Sequence, residues 1–301
     1  MNLRSVDLNL LVALDAILSE RHVTRAADRL GLSQPAMSNA LGRLRRIFKD
    51  ELLVRTAGGM QPTPRAEELR QTIQPLLRQI ERTFETGASF DPARSSRTFA
   101  IRLSDLLGFL LLPPLLARLK KDAPGIALDV LHLPPAKTVD ALERDEIDVA
   151  VSMSLEHSSA ICSEVMLRDR MVCVMRTSHA LADQELSFDN FLAQRHLKIS
   201  MSPADLRFVD NVLAHQKLTR NVALNVPHWL MVPHILAESD FVSVMPERFA
   251  AAIAGKSLIS RDLPFASDSF DWTLYWHRRH EGNQPVAWLR ETLREAFRTL
   301  G

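Results

Sequence analysis

"RHVTRAADRLGLSQPAMSNALGRLRRIF", residues 21–48, carries six arginines and a single acid, yet its apolar residues recur at helical spacing. Thr24 is placed to cap a short helix that runs to Leu30. Gly31 then ends it, because a glycine just past a helix supplies the left-handed residue that turns the chain. Ser33 can cap the next helix, with Pro35 tolerated in its first turn. Helix, tight turn, helix is the expected result. The second of these helices, running to about Phe48, divides by face. Met37, Leu41, Leu44 and Phe48 form one stripe, and Gln34, Ser38, Asn39, Arg43, Arg45 and Arg46 lie elsewhere. A preceding helix with Leu8, Leu11, Leu14 and Leu18 at three- to four-residue spacing supplies the other side of a core. Packing the stripes together leaves hydrogen-bonding groups and arginines facing outward, toward a polyanion.

The charge distribution supports that direction. Residues 1–65 hold ten Lys and Arg against six Asp and Glu, and the window Arg29 to Lys49 holds five basic residues and no acid. Beyond residue 90, 24 basic and 26 acidic residues nearly cancel, so the net charge of +1 conceals a local basic region.

Next, "LLVRTAGGMQPTPRA" (52–66) joins a short β-like run to Gly58, Gly59, Pro62 and Pro64, the punctuation of a hairpin, or wing. From Arg65 to Glu85 the residues Leu69, Ile73, Leu76, Ile80 and Phe84 step by four, three, four and four, a narrow stripe suited to pairing with another helix. Packing on its own domain is the other reading of that stripe, and Pro75 is expected to kink it. "TGASFDPARSSRT" (86–98) reads as a linker or hinge. From Thr98 the pattern changes to short apolar runs alternating with helices: "FAIRLSD", "IALDVLHL", "IDVAVSM", "MVCVMR", "LKIS", "VALNV" and "FVSVMP". Strands alternating with helices imply parallel sheets with crossovers, and about 200 residues of this kind fit two small sheets better than one. The division is therefore 1–64, helical with a basic face; 65–88, a linker helix; 89–97, a hinge; and 98–301, an α/β region of two subdomains.

A chain of 301 residues, 46% hydrophobic, supports two to three domains. Two cysteines, Cys162 and Cys173, are too few for a disulfide framework and fit a reducing, cytoplasmic address. Asp7, Asp15 and Glu20 interrupt the apolar opening, which excludes a signal peptide or membrane span there. No nucleophile elbow, zinc-protease motif or glycine-rich phosphate loop is present, so no catalytic residue, cofactor or metal is read. The closest histidine pair, His277 and His280, has no nearby cysteine to complete a ligand set. A redox role for the two cysteines stays open as a minor reading beside a structural one.

Residues 7–66 resemble the N-terminal domain of LysR-type transcriptional regulators, through "DLNLLVALDAILSERHVTRAADRLGLSQPAMSNALGRLRRIFKDELLVRT". The family pattern AA..L..SQPA.S..L..L is met by Ala26, Ala27, Leu30, Ser33, Gln34, Pro35, Ala36, Ser38, Leu41 and Leu44. With lower specificity the resemblance covers the whole chain, and "VDLNLL", "RHVTRAA" and "QPAMSNAL" are most similar to the branch regulating nodulation and aromatic-compound degradation. The resemblance implies a winged helix-turn-helix, a dimerising linker helix, and a periplasmic-binding-protein-like effector domain. The implied partners are double-stranded promoter DNA, a small organic effector, further copies of the chain as a homodimer or homotetramer, and RNA polymerase. Three positions depart from the family: Arg45 replaces a common Glu, Lys49 a common helix-ending Gly, and Ala180 the Pro of a His-Pro-Leu turn.

Among the exposed groups, Gln34, Ser38, Asn39 and Arg43 suit base edges, since amides pair with adenine and arginine with guanine. Arg45, Arg46 and Arg55 suit phosphates. Thr24, Ser33 and Pro35 complete this DNA-binding surface. A small molecule is expected at the carboxyl ends of the strands. Ser104 after "FAIRL", Ser154 after "VAVSM", and Met201 and Ser202 after "LKIS" occupy such ends, although each serine also reads as a plain helix cap. "VPHWLMVPHILAESDFVSVMP" (226–246) resembles the family segment that closes the cleft, with His228 and Met231 as wall residues. A solute-binding protein, or an enzyme with an incidental basic helical domain, is the alternative reading.

Overall fold

The computed structural model describes residues 7–56, 59–84, 90–200, 209–266 and 269–300, with the backbone alone for 78, 79 and 81–84. It divides into two units, Met1–Ala88 and Ser89–Gly301. The first comprises α1 (Asn9–Glu20), α2 (Val23–Arg29), α3 (Gln34–Phe48), β1 (Leu53–Thr56), β2 (Gly59–Pro62) and α4 (Pro64–Phe84). Leu14 and Ile17 from α1, Ala26 and Ala27 from α2, and Met37 and Leu44 from α3 meet in a closed core. Leu8 is exposed and Leu11 sits at the rim, so the inward face of α1 is rotated toward Leu10, Ala13 and Leu18, counting alanines that a leucine pattern overlooks.

The punctuation of this unit is visible residue by residue. Gly31 takes φ +65°, and the Ser33 hydroxyl accepts from the Ala36 N–H at 3.3 Å. Thr24 is not the cap of α2: His22 is, its Nδ1 accepting from the Arg25 N–H at 3.4 Å, while Thr24 lies inside the helix. Lys49 ends α3 at φ 53°. The left-handed turn is thus kept without glycine, at a cost of about 1–2 kcal/mol for a residue with a Cβ. β1 and β2 form the antiparallel hairpin, with Leu53 opposite Pro62 and Thr56 opposite Gly59. α4 continues through Pro75. Its apolar stripe divides: Leu69 and Ile73 are buried in the core of this unit, while Leu76 and Ile80 are exposed. The Phe84 side chain lies outside the described set.

The second unit contains two five-stranded sheets. Subdomain I holds β3 (Thr98–Arg102), α5 (Asp105–Asp122), β4 (Ala127–Leu131), α6 (Pro135–Glu143), β5 (Val149–Ser152), β6 (Ile161–Asp169), and later β12 (Phe270–His277) and α11 (Gln284–Arg298). Subdomain II holds β7 (Met171–Arg176), α7 (Phe188–Ala193), β8 (Arg195–Ile199), α8 (Val209–His215), β9 (Asn221–Val226), α9 (Val232–Ala237), β10 (Phe241–Pro246), α10 (Glu247–Ile253) and β11 (Leu258–Asp262). The strand orders are β4-β3-β5-β12-β6 and β11-β7-β10-β8-β9. β3, β4 and β5 are parallel, as are β8, β9 and β10, as alternating strands and helices require. β12, β6, β7 and β11 run antiparallel to their neighbours, which makes both sheets mixed.

The chain passes between the subdomains twice, at Arg170 and between β11 and β12. The two crossings are adjacent, because Phe270 pairs with Asp169 in the sheet. The Trp272 indole N–H donates to Asp169 at 3.2 Å, and Arg170 reaches Glu247 at 2.8 Å and Asp262 at 2.7 Å. Of the stretch 89–97 read as a hinge, residues 90–97 are described and are seated on this unit. The Phe90 N–H donates to Gln284 at 3.0 Å, and a Cβ at Gly125 would lie 2.7 Å from the Ser95 carbonyl oxygen. At the start of β5, buried Asp148 accepts from the Ala100 N–H at 2.8 Å and pairs with Arg97 at 3.2 Å. The turn that lacks the family proline is closed by His179, whose Nδ1 accepts from the Leu181 N–H at 3.1 Å. No helix among the described residues is long and apolar enough to cross a membrane.

His196 on β8 makes subdomain II acid-sensitive. Its ring is fully buried, Nε2 donates to the Phe191 carbonyl at 2.9 Å, and Nδ1 makes no hydrogen bond among the described residues. Burial, then the positive charge of Arg220, lowers its pKa from 6.5 to about 4. The fold therefore prefers the neutral ring. Stability from this preference is complete above pH 6.5 and is lost as pH falls toward 4, amounting to about 3 kcal/mol. His196→Phe, which keeps an aromatic ring against Phe191, is expected to flatten the melting temperature between pH 7 and 4. Parallel curves for the two proteins would rule the assignment out.

Candidate nucleic-acid interface and ligand cleft

The buried stripe of α3 fixes what faces out. With Met37, Leu41 and Leu44 turned inward, Gln34, Pro35, Ser38, Asn39, Arg43 and Arg46 are exposed. Gln34 Nε2 donates to Ser38 Oγ at 3.1 Å, which aligns two of the base-reading candidates on one side of the helix. Arg43 meets Asp7 at 3.2 Å, an exposed pair that a stronger anion can displace. Arg46 donates to the Gly42 carbonyl at 3.4 Å, within its own helix.

Arg45 is differently employed. Its Nε donates to the Glu51 carbonyl at 2.8 Å and its Nη2 to the Leu53 carbonyl at 3.2 Å, so it ties α3 to the root of the hairpin. That geometry favours positioning the wing over meeting a phosphate. The Ser33 hydroxyl is likewise used as a cap. Arg55 shares a hollow with Arg21, His22, Arg25 and Gln61 beside the hairpin, and Arg21 donates to Gln61 at 3.1 Å. The sequence presented Arg21 and Arg25 only as charge, and the pairing of β1 with β2 is what brings Arg55 and Gln61 toward them. Thr24 is exposed on α2.

In the second unit a cavity of about 880 Å³ opens between the sheets, at the carboxyl ends of the parallel strands. Ser104 and Ser154, two of the strand-end candidates, line it. Ser104 also caps α5, accepting from the Leu107 N–H at 3.3 Å. Arg102, buried at the end of β3, donates to the Leu133 carbonyl at 3.0 and 2.8 Å and to the Val151 carbonyl at 2.8 Å. A fixed cation so close to the cavity favours an anionic or electron-rich ligand. The Tyr275 hydroxyl accepts from the Leu155 N–H at 3.0 Å and donates to the Met153 carbonyl at 3.3 Å, which holds the loop carrying Ser154.

His228 and Met231 are not among the lining residues. The side chain between them that reaches the cavity is Trp229, because the chain makes a tight turn over Trp229–Met231 and leaves Met231 exposed. Met201 and Ser202 lie outside the described residues. Arg102, Trp229 and Tyr275 went unread: Arg102 sits inside an apolar run, and Tyr275 belongs to β12, a strand distant in sequence from the others.

Neither cysteine is a ready nucleophile. Burial pushes the Cys173 thiol up to about 12, and burial with the neighbouring Glu281 raises Cys162. His280, in the short turn before α11, is engaged by Asp145 at 2.6 Å, a structural contact.

Residues 8–67 match the model of the bacterial regulatory helix-turn-helix protein, lysR family, and residues 92–298 match the LysR substrate binding domain. The chain is 32% identical to the HTH-type transcriptional activator NagR of a Ralstonia species, over 99% of each chain. It is 33% identical to nodulation protein D 2 of Sinorhizobium fredii, over 97% of this chain and 94% of that one. A crystal structure of a probable transcriptional regulator from Pseudomonas aeruginosa superposes with a TM-score of 0.82 at 34% identity, covering 97% of both chains.

Proposed function

Because this chain belongs to the LysR family of bacterial helix-turn-helix regulators, we propose that α3 reads base edges in the major groove of promoter DNA and that a small organic effector fills the 880 Å³ cavity. The chain is a transcriptional regulator with a DNA-binding domain and an effector-binding domain, which sets aside the solute-binding and enzymatic alternative. The observation that carries the DNA assignment is the outward row of Gln34, Ser38, Asn39 and Arg46 over a fully buried Met37 and Leu44. Gln34, Ser38 and Asn39 are assigned to bases, Arg46 and Arg55 to phosphates, and Arg45 to holding the wing. Arg43 joins the bases once it releases Asp7. Two copies paired through α4 would present two such helices to a site with dyad symmetry. The working place is the cytoplasm, and RNA polymerase is the further partner.

Titration of promoter DNA at several salt concentrations tests these roles. Arg46→Ala is expected to weaken every sequence alike and to lower the salt slope by about 1. Asn39→Ala and Ser38→Ala are expected to lose about 1–3 kcal/mol at the cognate site only, relaxing its preference. Uniform losses in all three would remove the distinction. For the cavity, the effector is aromatic or carboxylated, matching Arg102 and the Tyr275 and Trp229 rings. Calorimetry with a panel of such compounds, repeated on Ser104→Ala, locates it. Unchanged affinity and footprint response would move the pocket elsewhere.

A further inference from the structure

Asp105, His132 and His228 each offer a ligand atom, and the three atoms lie within 4.8 Å of one another. Asp105 opens α5 just past β3, His132 follows β4, and His228 follows β9. Two of these groups thus belong to subdomain I and the third to subdomain II. They meet because β4 and β9 are the edge strands of their sheets. From this geometry we infer that the cluster is a site for a divalent transition-metal ion, zinc being the type, and that the ion draws the two subdomains together over the ligand cavity.

The donor set decides the class of ion. Two imidazoles and one carboxylate suit zinc, nickel, cobalt or copper, whereas calcium and magnesium call for oxygen ligands throughout. Asp105 is prepared for such a role. Its Oδ2 accepts from the Leu230 N–H at 3.1 Å, which orients the carboxylate from subdomain II, and its Oδ1 is buried with no hydrogen bond among the described residues. The imidazole rings of His132 and His228 stand 5.8 Å apart between centroids and tilted by 54°, separated rather than stacked.

The distances give the ion mechanical work to do. Metal–ligand bonds of about 2.0–2.2 Å in a tetrahedral site place neighbouring donors roughly 3.3–3.5 Å apart. A pair at the 4.8 Å bound would have to shorten by roughly 1.3–1.5 Å, through side-chain rotation and approach of subdomain II. An open arrangement offers the ion two ligands and a closed one three, and this difference in affinity is what lets binding shift the arrangement. Asp105 and His132 also line the cavity, so the remaining coordination position is open toward it, to water or to a donor atom of the effector. The inference stands independently of which organic compound binds and of how DNA is read.

The test uses the untagged full-length chain after chelator treatment and dialysis, with zinc calorimetry and the visible absorption of added cobalt(II) at pH 7.5. One ion per chain and a zinc-dependent rise in melting temperature are expected. His132→Ala and His228→Ala are each expected to lose at least about tenfold in affinity and to abolish the melting shift. His234→Ala, an exposed histidine on α9, is expected to behave as wild type. Failure of the wild type to bind zinc at 100-fold excess over protein overturns the site, as does equal affinity in the His132→Ala/His228→Ala double variant. A melting shift that survives in His228→Ala overturns the bridging of the subdomains.

Discussion

Replacing Leu76 and Ile80 together by aspartate is expected to lower operator affinity by a factor on the order of 10² to 10⁴, the gain that joining two binding modules supplies. These two residues are 47% and 44% exposed on α4, whereas Leu69 and Ile73, one or two turns earlier, are buried in the helix-turn-helix core. The stripe is one sequence pattern with two uses. Its first half holds the helix to its own unit, and its second half is the part left for a partner chain. Charge at positions 76 and 80 should therefore break pairing without unfolding the unit, while charge at Ile73 would do both. Sedimentation checks the assembly, and circular dichroism at matched concentration checks the fold. A double variant that sediments unchanged would show that α4 is not the interface.

Asp148→Ala is expected to destabilise the effector-binding unit by about 3–5 kcal/mol, the range for removing one member of a buried ion pair. Asp148 is 0% exposed, and its partner Arg97 has only 6% of its side chain exposed. Besides Arg97, the carboxylate satisfies the Ala100 N–H, so its loss removes the counter-charge of a buried cation and the acceptor of a backbone donor together. Against a total of about 5–15 kcal/mol for a typical domain, such a loss is a large fraction. Urea denaturation of the full chain measures it. If Arg97→Met is added to Asp148→Leu, much of the stability should return, because no charge is then left buried. A single variant within about 1 kcal/mol of wild type would contradict this account.

The N-terminal unit was legible because its signals are local: a glycine at a turn, a serine three residues before the amide it caps, an apolar face every three to four positions. Where another local group competed, reading failed. His22 capped α2 in place of Thr24, since an imidazole nitrogen can accept as a hydroxyl does. In the second unit the parallel strands stood out as short apolar runs. β6 did not, because Ser163, Glu164 and Arg168 interrupt an edge strand that faces solvent in part. β12 was hidden among its own Asp271, Thr273 and His277, although Trp272, Leu274, Tyr275 and Trp276 carry the β-forming character a strand needs. The cleft was legible as a place, at the strand ends, and less so as a set of side chains. Ser104 and Ser154 were found by position along one strand each. Trp229 depends on how a tight turn rotates its neighbours, and Tyr275 on which strand returns to the first sheet.

That return also orders the protein's birth. Subdomain II is one unbroken segment between β6 and β12, and β12 is the strand that joins β5 to β6. A chain emerging from the ribosome amino end first has made β3 to β6 long before the strand that fills the gap exists. Until residue 277 is free, β5 and β6 each keep an open flank, with Val165 already facing water. Subdomain II, complete by Asp262, can close around its own sheet during that interval. The nascent effector domain can thus finish its second half first, while the flanks of β5 and β6 stay open to the kind of edge pairing that leads chains to misassemble.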